Sequence, residues 1–256
     1  MDKTYVKKLK EPEVENPIFI EGLAGIGHIG RNCVSYISDH LEAEKIAELH
    51  SHHFPPYTIV QDDKTVEIIR NDIYQLQRED QRDIIFLEGN AQASTPEGHY
   101  EVAEKILDFA EELDADEIIT IGGYGTGDVV EDPDVMGVTT SSEHREHFEG
   151  KGIEFDHDVG QIVGASGLLL GLGKNRGMEG LCLLGETPGF LLSDPKSTEA
   201  VLNVMEDILG EDIDYSGLDE KVQESQEILK KIRNLQQQQG QGQDQDSGSP
   251  DLGYIG

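Results

Sequence analysis

The residues best suited to chemistry form a glycine-rich stretch that follows the apolar run Ile18–Ile20. Gly25, Gly27 and Gly30 have the spacing with which dinucleotide-binding proteins hold a pyrophosphate on backbone amides and a helix N-terminus. Glu48, about 20 residues further on, is the residue type that binds the ribose in such proteins. The same glycines would equally let a helix pack tightly on a strand. Because the chain has 29 glycines, the spacing is a weak indicator, and tight packing is the favoured interpretation.

Three histidines lie together at the end of the next apolar run. On a strand, His50 and His52 would share one face, which is a geometry for metal ligands, with His53 beside them. The ligand set is incomplete at this spacing. We therefore expect the histidines to form the wall of a pocket or an interface, and we predict no metal site.

Motifs that would supply a nucleophile or hold a phosphate are missing from the sequence. It has no Gly-x-Ser-x-Gly elbow, Walker loop, His-Glu-x-x-His or paired-cysteine motif. The stretch Gly164–Gly167 contains a serine but lacks the elbow spacing. Cys33 and Cys182 each lie in an apolar run and are expected to be small core residues. The residue types favour a binding or scaffold protein over an enzyme, and they call for no cofactor.

Predicted buried strands end three times in loops rich in glycines or amides. These loops follow the runs Ile18–Ile20, Asp83–Leu87 and Glu117–Ile121. In an open α/β sheet, ligands bind outside the carboxyl ends of the strands. The residues expected to line this crevice are Gly25, Gly27, Gly30, Asn90, Gln92, Gly123, Tyr124 and Gly125.

The elements that must position these loops alternate between apolar strand runs and helical periodicity. This alternation predicts an α/β protein with three layers, in which helices cover both faces of a mixed, mostly parallel sheet. Residues 1–15 are expected to include an edge strand. The runs Thr65–Arg70 and Asn71–Leu76 are expected to be edge strands that could pair as a hairpin. Ser94–Glu97 has the pattern of a capping box, and Gln161–Gly173 is typical of a buried helix.

The last fifth of the chain differs from the predicted α/β domain over residues 1–214. Residues 215–235 have the apolar spacing of an amphipathic helix that needs a partner surface. Residues 236–250 are rich in Gln, Gly, Asp and Ser, which is typical of a flexible linker. Residues 251–256 are apolar and follow this linker, so we expect them to be a docking tail. Its predicted docking residues are Leu252, Tyr254, Ile255 and Gly256.

The net charge limits the partners of the chain. Asp and Glu number 52 against 20 Lys and Arg, which gives a formal net charge of −32. Such a surface repels nucleic acids and anionic lipids, so we exclude both as direct partners. Acid spread along the chain with little lysine or arginine indicates a protein adapted to molar salt, where charge repulsion is screened. A signal peptide and a transmembrane run are absent from the sequence, so we expect a cytoplasmic protein.

Five motifs in a fixed order carry a resemblance to a known family. They are the glycine turn Gly25–Gly30, the histidine-proline run His50–Pro56, and the segments Gly89–Gln92, Gly122–Gly127 and Gly185–Gly189. In this order they resemble the archaeal proteasome assembly chaperone family, and the acidic composition resembles that of a haloarchaeal member. The resemblance extends over roughly residues 1 to 235 of the chain.

The resemblance implies an α/β/α domain akin to nucleoside phosphorylases, with no catalysis, that forms homo-oligomers and assists assembly of proteasome α subunits. Some members of the family end in a hydrophobic residue, a tyrosine and any third residue, and this tripeptide docks on the α ring. Here Tyr254 is third from the end and Ile255 is penultimate, so the docking register is shifted by one residue.

An enzyme remains the alternative function. A phosphorylase-like or Rossmann-like enzyme would bind a nucleotide or nucleoside in the crevice between the glycine loops. An ATP-grasp ligase would need a lysine for the phosphates and carboxylates for magnesium, and the sequence assigns neither.

Overall fold

The computed structural model describes residues 3–214, 217, 218 and 222. Apart from those last three residues, the predicted helix over 215–235 lies outside the described residues, as do the whole linker 236–250 and the tail 251–256. The strands of the described part are β1 (Thr4–Lys8), β2 (Ile18–Leu23), β3 (Glu44–Ser51), β4 (Thr58–Val60), β5 (Val66–Ile68), β6 (Asn71–Leu76), β7 (Ile84–Gly89), β8 (Glu117–Gly125), β9 (Val135–Thr139) and β10 (Glu179–Thr187). Its α-helices are α1 (Ile29–His40), α2 (Pro96–Glu112), α3 (Ser142–Glu146), α4 (Ala165–Asn175) and α5 (Pro195–Leu209).

Eight strands form one mixed sheet in the order β1-β3-β6-β7-β2-β8-β10-β9. The four central strands β7, β2, β8 and β10 run parallel to one another. Every pairing outside this centre is antiparallel, on the β1-β3-β6 side as well as at β9. The mixed α/β sheet is thus confirmed, but the expected mostly parallel pairing holds only for its centre.

Helices cover both faces of the sheet, as the alternation of elements predicts. The helices α1 and α5 pack on each other on one face, and α2 and α4 do so on the other. Consecutive residues of one strand point to opposite faces: Phe19 belongs to the core beneath α2 and α4, and Ile20 to the core beneath α1 and α5. Both side chains are fully buried, which explains why the central strands are continuous apolar runs rather than alternating ones.

The start of α2 differs from the predicted capping box by one residue. The N-cap is Thr95, whose hydroxyl accepts a hydrogen bond from the backbone N–H of Gly98 at 3.1 Å. Ser94 lies outside the helix, so its prediction as the capping residue is wrong. Pro96 then occupies the first turn, where its missing N–H costs nothing.

The predicted edge strands are wrong in part. The expected strand in residues 1–15 is confirmed, because β1 lies at one edge of the main sheet. The strand β6, however, is an interior strand between β3 and β7. The strand β5 pairs instead with β4, which the sequence pattern missed, in a separate two-stranded sheet. Asn71–Leu76 alternates between buried and half-buried residues, because Ile73 belongs to the core beneath α2 and α4 while Tyr74 and Leu76 lie at the margin of the core beneath α1 and α5.

The glycine-rich run 161–173 contains a helix, but the helix is shifted. It begins at Ala165 after Gly164, which has a φ of 92°, and it ends at Asn175. A left-handed glycine cannot continue a helix backwards into residues 161–163, which explains the later start.

Both cysteines are buried and free. Burial raises the pKa of both thiols, that of Cys182 to about 12, so neither is a ready nucleophile. Their prediction as small core residues is confirmed. Within the described residues, no helix is both long and apolar enough to cross a bilayer.

Candidate functional site

The glycine loop after β2 packs against backbone rather than opening onto a ligand space. A Cβ atom on Gly30 would lie 2.0 Å from the carbonyl oxygen of Ile121 in β8, and one on Gly22 would lie 2.2 Å from the carbonyl oxygen of Gly30. These distances are far below van der Waals contact, so both positions require glycine. The glycines allow α1 to approach β2 and β8 closely, which is the interpretation that the sequence favoured.

The middle of the same loop is fixed to the start of α5. The backbone N–H of Asp194 donates to the carbonyl oxygen of Gly27 at 2.8 Å. The carboxylate of Asp194 caps α5 and accepts a hydrogen bond from the Thr187 hydroxyl at 2.8 Å. A buried aspartate therefore contacts the loop on which a pyrophosphate would bind, and a carboxylate there repels phosphate.

The acid expected at the ribose lies elsewhere. Glu48 is in β3, which the strands β6 and β7 separate from β2. Its carboxylate accepts hydrogen bonds from Lys7 at 3.1 Å and Lys45 at 3.2 Å, and it lies 3.2 Å from both His50 Nε2 and Arg70 Nε. Partial burial would raise the pKa of Glu48, but its hydrogen bonds to Lys7, Lys45 and His50 outweigh burial and lower that pKa to about 2. Glu48 is thus an ion-pair partner, distant from the glycine loop.

The predicted crevice residues do converge at the carboxyl ends of the central strands. Gln92 donates to the carbonyl oxygen of Ala24 at 2.8 Å and accepts from the backbone N–H of Ala165 at 3.0 Å. It thereby joins the loops after β2 and β7 to the start of α4. A Cβ atom on Gly123 would lie 2.4 Å from the carbonyl oxygen of Ile26, so the end of β8, which extends further than predicted, to Gly125, also contacts the glycine loop.

The remaining predicted residues of the crevice vary in their surroundings. A Cβ atom on Gly25 would find only the Gln92 amide, at 3.8 Å, and Gly125 faces Gly189. Asn90 is exposed and Tyr124 is half-buried. The loops meet as predicted, with close backbone contacts at Gly30 and Gly123 and more room at Gly25 and Gly125.

A buried carboxyl group beneath this crevice was missed by the sequence analysis. Glu21 of β2 is fully buried, and its side chain accepts hydrogen bonds from the Ser166 hydroxyl at 3.0 Å and the Leu23 N–H at 3.1 Å. Burial raises the pKa of Glu21 to about 7, although both hydrogen bonds oppose the shift. The signal in the sequence is a charged residue that directly continues the apolar run of a central strand.

Apolar side chains surround the mouth of the crevice. Ile26 and Phe190 are each about half exposed, and Leu192 is largely exposed. Ile26 lies close to Gly125, which in turn contacts Gly189 next to Phe190. Exposed apolar side chains that lie together are typical of a protein-binding surface.

Two of the histidines at the end of β3 lie close to different carboxylates. His50 Nε2 lies 3.2 Å from Glu48, and its ring stacks on Tyr5 with the ring centroids 5.2 Å apart. His53 Nε2 lies 3.0 Å from Glu101 of α2. Among the described residues, no group of three histidines, cysteines or carboxylates has the arrangement of a metal site.

Comparison with known proteins identifies the family. The model of the PAC2 family matches residues 19–233, which is most of the chain. The chain belongs to the PAC2 family. This PAC2 protein is also 36% identical to the Methanocaldococcus jannaschii protein MJ1210, over all of this chain and 99% of the relative.

Solved structures agree with this assignment. The PAC2 protein is similar to Pyrococcus furiosus PbaB, an archaeal proteasome activator, with 39% identity and a TM-score of 0.86 over 91% of this chain and 100% of PbaB. It is also similar to PbaA of the same organism, an archaeal homolog of proteasome-assembly chaperone, with 26% identity and a TM-score of 0.72 over 93% of this chain and 94% of PbaA. The expected fold and the resemblance to archaeal proteasome assembly chaperones are thus confirmed. The family also confirms the prediction of a non-catalytic protein.

Proposed function

We propose that this PAC2 protein is a proteasome assembly chaperone-like protein that binds proteasome α subunits in the cytoplasm. The observation that carries the proposal is the similarity over the full length of PbaB, which is described as a proteasome activator. The similarity to PbaA, described as a homolog of a proteasome-assembly chaperone, supports the same role. The exposed apolar side chains of Ile26 and Phe190 beside the crevice loops support protein binding.

The proposed docking element is the tail over residues 251–256, with Leu252, Tyr254, Ile255 and Gly256 as its contact residues. A tyrosine ring and an aliphatic side chain bury a large apolar area in pockets. The linker 236–250 is long enough to span roughly 20 Å as a flexible coil. It would let the tail reach a neighbouring protein while the proposed domain over 1–214 stays in place.

Self-association would strengthen this docking. One tail offers a small contact area and therefore modest affinity, whereas a homo-oligomer presents several tails at a high effective concentration. The proposed helix over 215–235, with Leu218, Val222, Leu229 and Ile232 on its apolar spacing, would supply a further contact with the protein's own domain or another subunit.

The crevice is proposed as the second contact surface for the α subunit. The loop at Gly25 and the end of β8, with Gly123 and Gly125, would form its floor, and Ile26 and Phe190 would lie at its mouth. This surface has no charged side chain among these residues, so it suits an apolar segment of the partner.

Substitutions in the tail test the proposed docking. The full chain, the Tyr254→Ala variant and a matched Gly253→Ala control are each used to capture purified proteasome α subunits in molar KCl. We expect Tyr254→Ala to weaken capture about tenfold or more, while Gly253→Ala captures as the parent does. Equal capture by all three chains would assign the contact to the globular domain.

A further inference from the structure

Five chain segments at the carboxyl ends of the central strands contain no carboxylate. They are residues 24–31, 89–95, 122–127, 162–166 and 187–193, here called the crevice rim. This composition is unusual, because 52 of the 256 residues of the chain are Asp or Glu. Gln92 forms the hydrogen bonds that join the first, second and fourth segments. Gly125 faces Ile26 and Gly189, so the third and fifth segments belong to the same surface.

The carboxylates nearest to the crevice rim in the chain lie beneath it or border it. Glu21 and Asp194 are buried and accept hydrogen bonds from other residues of the protein. The further carboxylates within two residues of the rim segments are Glu88, Glu97, Asp128 and Glu186. Of these, Glu97 and Asp128 are exposed, and the other two are half-buried. An acidic protein that approaches the middle of the rim therefore meets less charge repulsion than the composition of the chain suggests.

Apolar side chains are exposed along the crevice rim. They are Ile26, Val163, Phe190 and Leu192. Val163 and Leu192 are the most exposed of the four, by 83% and 79% of their areas. Exposed apolar side chains on one surface are typical of a protein-binding site. The rim therefore combines apolar contact area with an absence of its own carboxylates.

The crevice rim also carries an unpaired cation. The guanidinium of Arg31 is half-buried and makes no hydrogen bond or ion pair within the part of the chain that the structure describes. The arginines that do pair with carboxylates include Arg70, Arg82 and Arg176. Burial and the charge of Arg31 lower the pKa of the neighbouring His28, so Arg31 supplies the positive charge of the rim at neutral pH. A guanidinium with unused N–H donors suits a carboxylate, which it can bind through two parallel hydrogen bonds.

We propose that the crevice rim binds a segment of the proteasome α subunit that carries apolar side chains beside a carboxylate. Arg31 pairs with that carboxylate, and the apolar side chains of the rim pack on those of the segment. An acid is the expected partner group, because a protein that stays soluble in molar salt carries many carboxylates. The bordering Glu97 and Asp128 repel a carboxylate that approaches elsewhere, which fixes the orientation of the segment. The inference rests on the proposed function, which supplies the partner, and it adds the chemistry that this partner must present.

Substitutions at Arg31 in the full chain test this contact. Arg31→Gln removes the charge, Arg31→Glu reverses it, and Arg31→Lys keeps it without the planar guanidinium. The matched control is Lys105→Gln, since Lys105 of α2 is half-buried and likewise has no ion pair among the described residues. Leu192→Ser removes one exposed apolar side chain of the rim. Dissociation constants are measured with purified α subunits in molar KCl, and melting temperatures verify the fold.

We expect Arg31→Gln to bind α subunits about tenfold more weakly than the parent, Arg31→Glu to bind more weakly still, and Arg31→Lys to lose less than Arg31→Gln. Leu192→Ser should also weaken binding, whereas Lys105→Gln should bind as the parent does. If Arg31→Gln binds as tightly as the parent, or Lys105→Gln loses as much, this inference is overturned and the proposed function stands. A melting temperature of Arg31→Gln that falls together with its affinity would assign Arg31 to the fold and also overturn the inference. A parent chain that binds no α subunit would overturn the proposed function, and this inference with it.

Discussion

Glu21 places a titratable carboxyl group in the centre of the sheet, where the protonated form is favoured. Its pKa is raised from 4.5 to about 7 in the folded protein. The folded state therefore binds the proton more tightly than the unfolded state, so the stabilisation is fully present below pH 4.5 and is lost as the pH rises through 7. Linkage gives a loss of about 3 kcal/mol in the free energy of unfolding across this window.

The Glu21→Gln variant tests this residue, because it keeps the shape of the side chain and removes its titration. We expect the parent to lose stability relative to the variant as the pH rises from 4.5 to 7. Urea titrations at several pH values measure the unfolding free energies of both proteins. The exposed Glu79→Gln variant is the control and should follow the parent. If the unfolding free energies of the parent and the Glu21→Gln variant change equally with pH across this window, the raised pKa is contradicted.

Gly30 tests whether the glycine loop serves packing. A Cβ atom there would lie 2.0 Å from the carbonyl oxygen of Ile121, whereas one on Gly25 would have 3.8 Å to its nearest neighbour. We expect Gly30→Ala to destabilise the protein by about 1–3 kcal/mol or to prevent folding, and Gly25→Ala to change the melting temperature little. Equal melting temperatures for both variants would show that the protein can accommodate a Cβ atom at Gly30.

Dinucleotide binding is a separate prediction for the same loop. Because the backbone N–H of Asp194 already binds the carbonyl oxygen of Gly27, and Glu48 lies in a distant strand, we expect neither NAD nor FAD to bind. Isothermal titration with both nucleotides in molar KCl checks this expectation. Saturable binding that Gly27→Ala abolishes, with the fold intact, would contradict it.

At the scale of elements, the central strands and the glycine loops were predictable because local signals determine them. Continuous apolar runs such as Ile18–Ile20 and Glu117–Ile121 identify strands buried on both faces, and glycines at their ends mark the crevice. The partner of each strand was less predictable. The pairing of β5 with β4 rather than β6 depends on a short strand, Thr58–Val60, whose three residues favour a strand but are too few to give a periodic pattern.

Of the candidate site, only the convergence of the loops was predictable from the sequence. Gln92 and Gly123 were predicted from their positions after strands, and the structure places them in contact with the glycine loop. The buried state of Glu21 depends on Ser166, which lies 145 residues away in the chain. Such a contact is set by tertiary packing, which single-sequence patterns do not contain.

The cap of α2 provides a prediction at this scale. The Thr95 hydroxyl accepts from the N–H of Gly98, so Thr95→Ala should destabilise the protein by about 1 kcal/mol. Ser94→Ala, one residue earlier, is the control and should have little effect because Ser94 is exposed and outside the helix. Chemical denaturation measures the unfolding free energy of both variants. A larger loss of stability from Ser94→Ala would support Ser94 as the capping residue, as the sequence predicted.

For the whole molecule, the net charge of −32 makes the stability of the folded state depend on salt. At 0.01 M salt the Debye length is roughly 30 Å, and it falls to about 3 Å at 1 M, so repulsion across the surface is largely removed in molar salt. We expect the melting temperature to rise strongly between millimolar and molar KCl. An unchanged melting temperature would contradict the proposed adaptation to high salt.

The most direct test of the central claim is binding of the full chain to purified proteasome α subunits from the same organism. Sedimentation velocity in molar KCl measures both proteins alone and mixed at equal concentrations. The proposed function predicts a faster boundary that contains both proteins and grows with the concentration of either. Two boundaries that keep their separate sedimentation coefficients at every concentration would contradict it.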